Sequence, residues 1–164
     1  MSADKKTISK LRQLNVLDSH YEAVYDSITD LVAKLTLMPV SLISILEEDR
    51  MWLKSTSGLK GITRIPRDNR FCDWVVSKKQ YLEIEDTTLD DFHSKYLLVT
   101  GEETKFRFYA GAPITLPLGE VIGVLCVLDT KPNQLYQIQR SALIGLANLI
   151  SKALVIKSYS EKTL

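Results

Sequence analysis

Apolar positions first recur at three- and four-residue intervals, as Tyr21, Val24/Tyr25, Ile28, Leu31/Val32 and Leu35. That spacing predicts an amphipathic helix from Ser19 to Leu37. Ser19-His20-Tyr21-Glu22 has the form of a capping box at its start, and Met38 before Pro39 marks its stop. A weaker helical pattern covers Lys5 to Leu17. The period then changes. Val40 to Leu46 and Met51 to Thr56 are β-rich runs joined by the polar Glu47-Glu48-Asp49-Arg50, which predicts a hairpin. Gly58 and Gly61 break the chain, and Asp68 or Asn69 caps a short helix from Arg70 to about Lys79. Tyr81 to Glu85 reads as a third strand. Thr87/Thr88 with Asp90 and Asp91 predicts one or two helical turns within the stretch to Val99, a loop long enough to suggest function.

Phe106 to Thr115 and Glu120 to Leu128 are the strongest strands, and Leu116-Pro117-Leu118-Gly119 between them suits a hairpin turn. The run Val121 to Leu128 is apolar without alternation, so it predicts a strand buried on both faces. A last helix is expected from Asn133 to Lys157, with Leu135, Ile138, Ala142, Leu146, Leu149, Ala153 and Ile156 along one stripe. Leu143, Ala147, Ile150 and Leu154 form a second stripe, so this helix needs a second packing partner. The order of elements is α+β, with about five strands in an antiparallel sheet.

Composition adds mainly exclusions. The chain has 164 residues, 45% hydrophobic and 25% charged, ordinary values for a globular chain of one domain's length. Lys and Arg number 21 against 20 Asp and Glu, and the net charge of +1 implies neither nucleic acid nor an anionic membrane as a partner. No apolar stretch reaches the ~20 residues that cross a bilayer, and the polar N-terminus lacks a secretory pattern. The expected location is therefore the cytoplasm. Two histidines and two cysteines show no zinc spacing, and no phosphate-binding loop, dinucleotide fingerprint or nucleophile elbow occurs. No metal or cofactor is expected, and no catalytic residue stands out.

Phe71-Cys72, Asp86, the block Phe108-Tyr109-Ala110-Gly111-Ala112-Pro113 and the run Gly119 to Asp129 together carry a resemblance. The chain resembles a GAF domain of the bacterial sensory type over roughly Leu11 to Leu154, within a single domain spanning residues 1 to 164 whose core is about 11 to 157. The resemblance implies a central antiparallel sheet of five to six strands in the order 2-1-5-4-3. It places the N- and C-terminal helices on one face, and loops with a short helix over a small-molecule pocket on the other. In this group the pocket loop usually carries Arg-Phe and Asn-Pro, whereas Asp90 to Leu97 here keeps only the aromatic residue.

Phe71, Cys72, Asp86, Arg107 and Tyr109 are the candidate ligand-binding residues. The two-residue period puts Arg107, Tyr109 and Gly111 on one face, where a guanidinium, a phenol and an open glycine would converge on a ligand. Equally, Arg107 would pair with a carboxylate at the sheet rim while Tyr109 fills core. Asp86, at a strand end, would bond loop amides or a ligand. Cys72 in a first helical turn is a reactive thiol or a small buried residue, and Cys126 reads as structural. Lys60, Arg64, Arg67 and Arg70 form a basic segment, and Trp52, Trp74, Phe92 and Tyr96 are aromatic residues for a pocket roof or for core.

The resemblance implies a non-catalytic module that senses a small molecule and signals through a homodimer of its terminal helices or through a separate output protein. Two alternatives stand beside it: a cysteine-dependent reductase of free methionine sulfoxide, and a dimerisation scaffold whose pocket is filled by its own side chains. The first requires two thiols close together, and the sequence offers Cys72 as one plausible member.

Overall fold

The computed structural model describes residues 23–47, 50–58, 64–66, 71–89 and 106–162. The expected first helix over Lys5 to Leu17, the capping box at Ser19, the caps at Asp68 and Asn69 and the loop from Asp90 to Val99 lie outside them. The elements run α1 (Ala23–Thr36), β1 (Val40–Leu46), β2 (Arg50–Ser57), β3 (Arg64–Pro66), α2 (Phe71–Lys78), β4 (Leu82–Ile84), a 3₁₀ turn (Thr87–Leu89), β5 (Phe108–Thr115), β6 (Val121–Asp129) and α3 (Gln137–Lys162).

The strands form one six-stranded sheet in the order β3-β2-β1-β6-β5-β4, every described pairing antiparallel. This is the expected order 2-1-5-4-3 with β3 added at the outer edge. β6 lies between β1 and β5, and every residue from Val121 to Leu128 is buried, as a run without a polar face requires. β1 is buried along its whole length too, although it carries Ser41 and Ser44. At the β5–β6 turn Gly119 takes φ +99°, a conformation glycine adopts without strain, and its N–H donates to the Leu116 carbonyl at 2.8 Å.

Register assigns the two faces of the sheet. One carries Ile43 and Ile45 of β1, Leu125 and Val127 of β6, and Ala110, Ala112 and Ile114 of β5. The long helices α1 and α3 pack there. From α1 the buried positions are Tyr25, Ile28, Thr29, Val32 and Thr36. The Thr29 hydroxyl meets Ser55 Oγ of β2 at 2.9 Å, and Ser55 donates to the Asp26 carboxylate, so two buried hydroxyls are satisfied across the interface. α1 ends at Thr36 as Pro39 approaches, with Leu37 turned to φ +58°.

The structure shows which stripe of α3 the sheet takes. The buried positions are Leu143, Ala147, Ile150, Ser151 and Leu154, whereas Ile138, Leu149 and Ile156 are exposed by 78%, 50% and 68%. The shorter stripe packs on the sheet, where β5 presents Ala110 and Ala112 on the helix side. The helix also starts later than Asn133: Gln139 Oε1 accepts the Tyr136 N–H at 2.8 Å, half of a capping box with Tyr136 at the cap. No described helix is long and apolar enough to cross a membrane.

The opposite face of the sheet presents Leu42 and Ser44 of β1, Cys126 and Val124 of β6, and Tyr109, Gly111 and Pro113 of β5. The short helix α2 packs there against β5 and β6.

Candidate functional site

α2 brings its first two residues down onto that second face. The Phe71 ring stacks on Tyr109 with centroids 4.9 Å apart and planes 21° from parallel. The Tyr109 hydroxyl donates to Cys72 Sγ at 3.4 Å. All three side chains are buried. The phenol ring runs forward along its own strand, so that a Cβ at Gly111 would lie 2.3 Å from Tyr109 Oη. The open space expected at Gly111 is therefore occupied by Tyr109.

Beneath α2, Cys126 sits between Gly111 on β5 and Leu42 on β1. Besides Tyr109, Cys126 and Ser44 each act on the Cys72 thiol, so a residue from each of the three central strands influences its acidity. The Ser44 hydroxyl also donates to the Val124 carbonyl at 3.3 Å. Both cysteines are free thiols and fully buried. Cys72 is the more acidic of the two. The hydrogen bond with Cys126 lowers its pKa most, Tyr109 and Ser44 act in the same sense, and burial and Asp73 oppose them. Cys126 is raised well above the ordinary thiol range by its bond to Cys72 and by burial. Burial and the neighbouring Cys72 likewise raise Tyr109, which stays a phenol.

Asp86 and Arg107 form a separate unit at the far end of β4 and β5. Arg107 Nε and Nη2 donate to the two Asp86 carboxylate oxygens, each at 3.1 Å. Asp86 Oδ1 also accepts the Thr88 N–H at 3.0 Å and the Thr88 hydroxyl at 2.7 Å, which makes it the N-cap of the 3₁₀ turn. The turn is pinned from the other side as well, since Thr87 donates its N–H to the Arg107 carbonyl and its hydroxyl to the Phe106 carbonyl, both at 2.8 Å. The Arg107 guanidinium, then Thr88, holds the Asp86 carboxyl down at about 2. Arg107 is raised in return by Asp86.

The five candidates thus fall into two groups. Phe71, Cys72 and Tyr109 make one cluster, whereas Arg107 pairs with the Asp86 carboxylate and Tyr109 fills core, so of the two expectations for this face the second forms and the convergence of guanidinium, phenol and glycine does not. Of the aromatic roof residues, Trp52 pairs with Ile45 and so faces the long helices, where Lys54 Nζ lies 5.3 Å from its ring centroid. Trp74 is half-buried on α2. Phe92, Tyr96, Lys60, Arg67 and Arg70 lie outside the described residues, and no group of three or more metal-ligating side chains forms among the described ones.

Two features escaped the sequence reading. Cys126 faces Cys72, a fact hidden because an all-apolar strand does not reveal which side each residue takes. The other is a clamp between sheet and helix. Arg140 of α3 donates from Nε and Nη2 to both Glu83 oxygens at 2.9 Å, and the Tyr81 hydroxyl donates to Glu83 Oε1 at 2.5 Å. Burial first, and then Glu83, raise the Tyr81 phenol.

Sheet order, terminal helices on one face and a short helix on the other define an α+β domain of GAF architecture. The GAF domain family model matches residues 20–154, and the chain belongs to that family. It is 36% identical over 120 residues to a cyclic di-GMP phosphodiesterase of Pseudomonas aeruginosa, a match covering 73% of this chain and 20% of that protein's length. In structure it is similar to the GAF domain of an Acinetobacter phosphoenolpyruvate-protein phosphotransferase, with a TM-score of 0.70 and 18% identity over 94% of this chain and 91% of that one. It is also similar to free methionine-R-sulfoxide reductase from Neisseria meningitidis, with a TM-score of 0.69 and 16% identity over 98% and 94% of the two chains. At these identities the two structures speak for the fold alone.

Proposed function

We propose that this GAF domain is a non-catalytic sensory module that takes a small molecule on the α2 side of its sheet and answers through its long helices. The observation that carries this reading is the Glu83–Arg140 clamp. β4 runs directly into Asp86 and the 3₁₀ turn on the ligand side, while Glu83, on the other face of the same strand, grips α3. A displacement at Asp86 would be transmitted to α3 across one short strand. The response element is the apolar surface that α1 and α3 leave uncovered, Val24, Leu31 and Leu35 with Ile138, Leu149 and Ile156. A second copy of the chain, packed helix to helix, would cover it. The phosphodiesterase relative supports the reading in that its matching segment is one part of a longer protein.

Native mass spectrometry of freshly purified protein tests both halves together. A dimer carrying a non-covalently bound small molecule is expected. A monodisperse, empty monomer at tens of micromolar would overturn the reading.

A cysteine-dependent reductase is the second reading, favoured by the meeting of Cys72 with Cys126. Retained turnover of free methionine sulfoxide in a Cys72→Ser variant would remove it.

A further inference from the structure

We infer that Cys72 and Cys126 form a redox modification site, a buried dithiol that hydrogen peroxide converts to an intramolecular disulfide tying α2 to the central strand. The inference stands apart from the sensory reading, since it requires only the placement of the two sulfurs.

That placement follows from three fixed points. Cys126 lies on β6 between its register partners Leu42 and Gly111. Tyr109 Oη lies 2.3 Å from the Cβ position of Gly111, immediately beside Cys126, and 3.4 Å from Cys72 Sγ. The helix that carries Cys72 packs directly on β6 and β5. A sulfur 3.4 Å from the Tyr109 hydroxyl, which itself lies over Gly111, is on the face and beside the register position where Cys126 points.

The chemistry balances with one peroxide. Cys72, the more acidic thiol, attacks as thiolate; its sulfur–oxygen bond forms, the peroxide O–O bond breaks, and the departing oxygen leaves as water after taking up a proton. The resulting Cys72 sulfenic acid is attacked by the Cys126 sulfur. The S–S bond forms, the S–O bond breaks, and the hydroxyl leaves as a second water with the Cys126 proton. Two thiols lose two electrons in all, and one peroxide becomes two waters. Tyr109 favours the first step by donating its hydroxyl hydrogen to Cys72 Sγ.

Both sulfurs are buried, so the reaction waits on local opening of α2, an eight-residue helix. The bond would then hold α2 shut over Tyr109 and Gly111. A reduced domain can open that face, and an oxidised one cannot.

The test exposes the reduced full-length chain to hydrogen peroxide, unfolds it in an alkylating reagent and maps its peptides. The expected result is a monomer lighter by two hydrogens, no alkylatable thiol in place of two, and one peptide pair joined through Cys72 and Cys126. A Cys126→Ala variant is expected instead to accumulate a Cys72 sulfenic acid that a cyclic dione traps; if that variant fails to fold, the wild-type map decides alone. Two alkylatable thiols, separate sulfinic acids on each cysteine, or links only between chains would overturn the proposal. So would formation of the disulfide by free methionine sulfoxide with repeated release of methionine, which would make the pair a catalytic centre.

Discussion

Glu83 and Arg140, on β4 and α3, meet with two guanidinium nitrogens each 2.9 Å from a carboxylate oxygen. With 13% and 29% of their side-chain surfaces exposed, they tie an edge strand of three residues to the longest helix of the domain. A two-pronged contact of this kind depends on the planar fork of arginine. Arg140→Lys should therefore lose most of what Arg140→Ala loses. In thermal unfolding both variants are expected to melt below the wild type, the lysine variant nearer to alanine. Hydrogen exchange should rise at Leu82–Ile84 in both.

The two stripes of α3 make opposite predictions. Ile150→Ala removes a side chain with no exposed surface and should cost about 2–5 kcal/mol in urea unfolding. Ile138→Ala, at 78% exposure, should change stability by no more than about 0.5 kcal/mol. Leu149→Glu should leave the monomer's stability nearly unchanged and dissociate the proposed dimer in analytical ultracentrifugation.

Gly111 and Tyr109 should be coupled. Gly111→Ala puts a methyl group 2.3 Å from Tyr109 Oη, forcing the ring off Phe71 and away from Cys72 at about 1–3 kcal/mol. Tyr109→Ala empties that space, so the same glycine substitution should cost much less in its background. A double-mutant cycle by chemical unfolding measures the difference, and additive costs would show that the ring and the glycine do not share the site. Tyr109→Phe, which deletes only the hydroxyl, should cost about 0.5–1.5 kcal/mol.

The Asp86–Arg107 pair predicts an acid-side dependence. Because the folded state holds the Asp86 carboxyl at about 2, below its ordinary 3.8, the folded protein binds this proton less readily than the unfolded chain. The pair's contribution is thus complete above the ordinary value and disappears as pH falls from there through about 2. Arg107→Gln should return the carboxyl toward its ordinary value and flatten this part of the stability profile. Carboxyl NMR titration of both proteins checks it.

Much of the fold could be read before any coordinates. Val121 to Leu128 has no polar face, and it proved to be the strand with neighbours on both sides and layers above and below. The hairpin turn at Leu116 to Gly119 and the stop of α1 before Pro39 came from residues whose backbone preferences are local. The site was less legible, for physical reasons. Period along β5 put Arg107, Tyr109 and Gly111 on one side, but a long guanidinium turns toward whichever carboxylate its surroundings offer, and Asp86 is 21 residues away in sequence. Arg140 and Glu83 are 57 apart, a separation that carries no pattern. The two stripes of α3 are both apolar, so their sequence did not say which one the sheet would take. The choice is made by the sheet surface opposite, which belongs to other elements.

Tyr109 stacks on Phe71 and closes over Gly111, so the chain's own side chain fills that part of the sheet's floor. If the proposed small molecule is taken there, it has to displace this internal occupant, and recognition becomes a competition with the phenol.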